Sequence, residues 1–200
     1  MKLLSPKSLR GLGLGALALV AGMAQAHTGH DTSGVYEGLV HPLGLDHLLA
    51  MLAVGVWSVS ALPQDKAWWG PAIFMLSLTI SAALGTLGLS LPFLEHMISL
   101  SVVLFGVMLV FARQKTPVAF GLALVALAAA LHGLAHGAEA PATGFASYAL
   151  GFLVTTAALH FGGAVTALGI RRYLSSTANR VLVGLGTVCG GAGLYLCSQL

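Results

Sequence analysis

The chain has 200 residues, 57% of them hydrophobic and only 8% charged, with a formal charge of +3 and a mean hydropathy of +0.91. A water-soluble domain usually carries about 25% charged residues, so this composition excludes an ordinary soluble surface and points to the lipid bilayer as solvent. Nor does the positive charge mark a nucleic-acid binder: Lys2, Lys7 and Arg10 lie at the N-terminus, and the remaining basic residues are balanced by acids without forming a patch.

Lys2, Lys7 and Arg10 form a basic leader, Gly11 to Met23 a short apolar stretch, and Ala24-Gln25-Ala26 a small-x-small cleavage site. These are the three parts of a secretory signal peptide in order. The apolar stretch is shorter than the roughly 20 residues a transmembrane helix needs. Cleavage is expected after Ala26, which gives a signal peptide over 1–26 and a single transmembrane domain over 27–200 that begins at His27. The alternative is an uncleaved anchor.

Beyond residue 27 the apolar runs fall at 37–61, 70–90, 93–112, 117–137, 144–169 and 180–198. The joints carry breakers: Pro63 with Gln64-Asp65-Lys66, Pro92, Lys115 with Pro117, Pro141, and Ser175-Ser176-Thr177. Each run approaches the length of a bilayer crossing, and none alternates as a barrel strand would. The expected fold is all-α, a polytopic bundle of about six transmembrane helices. Cys189 and Cys197 are roughly 12 Å apart along one helix, too far to bridge each other, and read as packing residues.

Charge sets the orientation. With the mature N-terminus outside, the joints after the first, third and fifth segments face the cytoplasm. They hold Lys66, Arg113, Lys115, Arg171, Arg172 and Arg180, every basic residue after the leader. That is the asymmetry of the positive-inside rule, and it predicts a bacterial inner-membrane protein with a periplasmic N-terminus.

On this topology the acids and histidines gather at the outer side. The first segment carries His41, Asp46 and His47, with Met51 one turn beyond. An ionisable group inside a membrane segment costs about 2.5–3.5 kcal/mol on insertion scales and is a functional candidate by default. On a regular helix His41 shares no face with Asp46 or His47, so the three cannot form a complete site alone. Pro42 suits a first helical position, which leaves His41 at a cap where it can fold towards the pair. In the fourth segment His132, His136 and Glu139 follow at i, i+4 and i+7 on one face, a half-site for a divalent cation. Imidazole and carboxylate suit Ni²⁺, Co²⁺ or Zn²⁺. Glu95 and His96 open the third segment, and a carboxylate there also suits the helix dipole. His160 reads either as a relay or as a packing histidine. His27, His30 and Asp31 form a polar leader that could also capture metal.

The run His-Pro-Leu-Gly-Leu-Asp-His, extended from His41 to Trp57, and the run His-Gly-Leu-Ala-His-Gly-Ala-Glu from His132 to Glu139 together resemble the HupE/UreJ family of small nickel or cobalt permeases. The resemblance covers nearly the whole chain. It implies a non-ATP-hydrolysing importer in which His41, Asp46 and His47 recognise the incoming metal, with His132, His136 and Glu139 as partners. It implies no tightly bound cofactor, Ni²⁺ or Co²⁺ as cargo, and hand-over to hydrogenase or urease metal chaperones. Two other readings fit the same residues: an intramembrane zinc hydrolase with Glu139 or Glu95 as base, and a metal sensor or donor without flux. The sequence leaves oligomeric state open.

Overall fold

The computed structural model describes residues 34–142 and 144–200. The expected signal peptide, with His27, His30 and Asp31, lies outside the described residues.

The described chain is all-α. α1 (Gly34–Val40) leads through a 3-10 turn (His41–Leu43) into α2 (Leu45–Ala61), followed by α3 (Trp69–Thr86), α4 (Leu94–Val110), α5 (Val118–Ala138), α6 (Phe145–Tyr173) and α7 (Ala178–Cys197). Five of the six apolar segments become helices close to their expected limits. The first does not become one helix. It breaks at Gly44, and its two limbs stand 73° apart. Pro42 removes a backbone donor, and Gly44 takes an extended conformation (φ −53°, ψ 143°) that ends the turn and starts a new helix at Leu45. α3 stops at Thr86, just ahead of Gly88, whose left-handed φ of 89° breaks the helical path.

Among the described residues, four stretches are long and apolar enough to cross a membrane: Gln64–Thr86, Val118–Ala138, Phe145–Tyr173 and Ala178–Cys197. The bent pair Gly34–Leu43 and Leu45–Ala61 makes a fifth if counted as one crossing, and Leu94–Val110 is apolar but shorter. Large apolar side chains point outward, among them Leu127, Phe161 and Val188, while His47, His132, His136 and His160 are buried. This inverts the arrangement of a soluble protein and is what a lipid-facing surface requires.

The closest helix pairs are α3 with α5, α4 with α7, and α6 with both α1 and α2. Without a hydrophobic force to separate helix from lipid, such pairing depends on close backbone approach across small residues. The α3·α5 seam shows it best. A Cβ on Gly85 would lie 2.9 Å from the Gly137 Cα, and one on Gly133 would collide with the Leu78 carbonyl and the Ser81 side chain. At that end of α5, residues 132–137 are all buried.

The basic residues gather at one end of the bundle. The α2–α3, α4–α5 and α6–α7 connections meet there around a cavity of about 570 Å³ lined by Gln64, Arg113, Lys115 and Arg171. Arg171 donates to the Val59 carbonyl at 3.4 Å, and the Lys66 ammonium lies 5.0 Å from the centre of the Trp69 ring. The histidine motifs occupy the opposite ends of α2 and α5.

Candidate metal centre

The break at Gly44 decides how the site is built. Because α2 starts at Leu45, Asp46 and His47 fall in its first turn rather than two turns inside a continuous helix, and the preceding 3-10 turn brings His41 back over them. Asp46 then sits where a carboxylate suits the helix dipole. Its Oδ1 accepts the His47 backbone N–H at 2.7 Å and lies 2.9 Å from His47 Nδ1. That contact places the ring proton on Nδ1 and leaves the lone pair on Nε2, which is buried and unpartnered.

α5 supplies the facing groups. His132 and His136 are wholly buried, one turn apart, and the glycines beside them, Gly133 and Gly137, press against α3. The glycine face anchors the helix while the histidine face looks into the bundle. His136 Nδ1 is 3.3 Å from the Tyr148 hydroxyl of α6, its ring stacks on Phe152 at 4.4 Å, and its Nε2 has no partner. His132 Nε2 is 2.9 Å from Ser101 Oγ of α4. The Ser101 hydroxyl proton goes to the Ile98 carbonyl at 2.7 Å, so its oxygen accepts Nε2–H, and the lone pair of His132 is left on the buried, unpartnered Nδ1.

These groups converge. One ligand atom each from His41, His47 and His136 lie within 4.8 Å of one another. The ring centroids are 4.4 Å apart for His41 and His136, 5.0 Å for His47 and His136, and 5.3 Å for His41 and His47. Metal–imidazole bonds of about 2.0–2.1 Å would draw three such nitrogens together with small ring rotations. Each side of the arrangement has the feature that orients metal-ligating histidines: the second ring nitrogen is held by a carboxylate or hydroxyl.

The other expected ligands take different places. Asp46 lies behind His47, outside the three-atom group. His132 is one turn deeper, with its ring centroid 4.6 Å from that of His47. Glu139 caps the end of α5 on the rim, its Oε2 3.6 Å from His41 Nε2. Glu95 is exposed in the first turn of α4, and His96 packs beside Phe93, with ring centroids 5.9 Å apart. Met51 is wholly buried one turn past His47.

A model of the HupE / UreJ protein family matches residues 15–196. The chain belongs to the HupE/UreJ family. A relative described as Protein HupE, from Rhizobium leguminosarum bv. viciae, is 37% identical over 181 residues, which cover 90% of this chain and 90% of that protein. No solved structure matches. The apolar helices and the HupE/UreJ membership together make this a membrane protein.

Three contributors to this candidate site are not evident in the sequence. Tyr148, Phe152 and Ser101 sit in helices without a motif, and at helical spacing an aromatic or a serine reads as core. Their roles come from helices packing together, which a one-dimensional pattern does not carry.

Proposed function

We propose that the protein is a permease that carries Ni²⁺, or Co²⁺, inward across the bacterial inner membrane without hydrolysing ATP. The observation that carries this reading is the meeting of His41, His47 and His136, from three separate chain elements, at the end of an apolar bundle opposite its basic residues. By the positive-inside rule the basic end is cytoplasmic, so the histidines stand at the periplasmic entrance. The reading counts all six apolar segments as crossings, with the bent α1–α2 pair as the first and the shorter α4 as the third.

In this mechanism His41, His47 and His136 replace part of the ion's hydration shell. Asp46 holds His47 in the tautomer that presents Nε2, and Tyr148 holds His136 by accepting from Nδ1–H. Glu139, beside His41 on the rim, adds negative charge where the hydrated ion first arrives. His132 waits one turn deeper, its Nδ1 lone pair set by Ser101. An inside-negative potential of 100 mV contributes about 4.6 kcal/mol for a divalent ion, at roughly 2.3 per charge, which is enough to drive uptake without another energy source. Nitrogen-rich sites of this kind suit nickel and cobalt and also zinc, so selectivity rests on geometry and on metal supply.

The test is uptake of labelled Ni²⁺ and Co²⁺ by cells lacking other importers, comparing the intact protein with His47→Ala. Accumulation above empty-vector cells that is lost in the variant supports the permease. If the intact protein accumulates neither ion, the reading is wrong, and binding without flux would instead fit a sensor or donor.

A further inference from the structure

Buried hydroxyls can satisfy themselves inside a helix, and two of the described ones do. Within their helices, Ser81 donates to the Ser77 carbonyl at 2.6 Å and Ser101 to that of Ile98 at 2.7 Å. The more exposed Thr79, Thr166 and Thr187 bond back to carbonyls four residues earlier in the same way. Thr156 does not, although it is wholly buried. One turn along α6 from it stands His160, 2% exposed, with neither ring nitrogen partnered. A buried imidazole and a buried hydroxyl left open on one helix face run against the rule that interior polar groups are satisfied, and such a pair calls for a ligand.

The position of this pair gives it a role. The His160 ring packs edge-on against Phe74 with centroids 4.9 Å apart. His132 also neighbours Phe74, 6.0 Å away between centroids, and His132 in turn adjoins His47. One aromatic ring of α3 therefore touches on both the deepest histidine of the outer cluster and His160. Nearer the basic end, on α2, is a second buried and unpartnered hydroxyl, Ser58, and the next residues, Val59 and Ser60, already line the cavity there.

We propose that His160, with Thr156, is a second cation station. An ion leaving the outer histidines is held there by an imidazole nitrogen and a hydroxyl, together with water it carries, before release past Ser58. The inference rests on the permease reading and adds to it a site in the middle of the bundle. A cation crossing a low-dielectric interior needs a ligand at its midpoint, and His160 is the histidine nearest the middle of α6's course.

Two measurements on the full-length protein test it. In proteoliposomes with an imposed inside-negative potential, His160→Leu is expected to lower the maximal rate of Ni²⁺ or Co²⁺ entry at least about tenfold while the half-saturating concentration stays near the wild-type value, since a barrier has risen after capture. Thr156→Val, which removes only the hydroxyl and serves where His160→Leu does not fold, is expected to lower that rate about threefold. Wild-type rates in either soluble variant overturn the station. In the second measurement, Co²⁺ is titrated into the His41→Ala, His47→Ala, His136→Ala protein in detergent. Weak visible absorption bands of bound Co²⁺ should remain, persist in Glu139→Gln and vanish on adding His160→Leu. Bands indifferent to His160, or no bands, overturn the proposal. If wild-type vesicles carry neither ion the permease reading falls, and the Co²⁺ titration still decides whether His160 holds a cation.

Discussion

His41 and His136 lie with ring centroids 4.4 Å apart and planes inclined at 49°, one on a turn before α2 and the other in the last turns of α5. Neither helix seam brings them together, because α2 packs on α6 and α5 on α3. The contact exists because the chain breaks at Gly44 and the 3-10 turn folds His41 across the end of the bundle.

Binding should therefore depend on all three imidazoles. Alanine at His47 or His136 is expected to weaken Ni²⁺ and Co²⁺ affinity by at least about 100-fold, since each ligand is preorganised by its own outer partner. Alanine at His41, whose side chain is 19% exposed on the rim, should have a smaller effect. Calorimetric titration of purified protein in detergent checks the order, and equal losses at all three positions would contradict it.

Asp46 acts through His47. Asp46→Asn keeps the shape but no longer fixes the ring proton by charge, and affinity should fall about 10–100-fold as for other residues that orient ligating histidines. Tyr148→Phe removes the longer 3.3 Å contact to His136 and should fall at the lower end of that range. Helical content by circular dichroism should be unchanged in both.

The α3·α5 seam predicts stability effects remote from any ligand. Gly137→Leu would drive a side chain into the Ala82 carbonyl and the Gly85 backbone, and overpacking of this kind costs about 1–3 kcal/mol or more. A lowered thermal midpoint together with weakened metal binding is expected, because α5 cannot shift without moving His136. Gly191→Ala, where an added Cβ meets nothing within 4 Å, is the control and should leave both readings near wild type.

Topology can be checked directly. In a background lacking Cys189 and Cys197, a single cysteine at Ala140 should react with a membrane-impermeant maleimide in cells with a permeable outer membrane. One at Gln114, within the basic connection, should react only after the inner membrane is opened. The reverse pattern would put the histidines on the cytoplasmic side and turn the proposed direction of transport around.

Much of this organisation is legible in the sequence. The apolar runs and their Pro and Ser breakers mark five helices nearly in place, and the placement of Lys and Arg anticipates the basic end. The two histidine motifs name the residues that converge, and helix geometry already shows that the first motif needs the second. What the sequence hides is three-dimensional. A 3.6-residue periodicity carried through Pro42 and Gly44 predicts one helix where there are two. Which helices pair is equally unmarked, because partners are chosen by matching small residues across the bundle, Gly85 with Gly137 and Gly55 with Gly163. Tyr148 and Ser101 go unmarked for the same reason: each is ordinary in its own helix and acquires a role only from a neighbour.

The burial of residues 132–137 has a consequence for anyone wishing to change which ion is preferred. Six consecutive positions are enclosed, alternately by the histidine cluster and by α3, so this stretch of α5 offers no side on which a new ligand could be introduced without displacing a helix. His41 and Glu139, which are partly exposed, are the positions with room for exchange. Directed evolution towards another metal should accumulate its substitutions there and in the turn that carries His41, leaving the buried half of the proposed coordination set as an unvaried template.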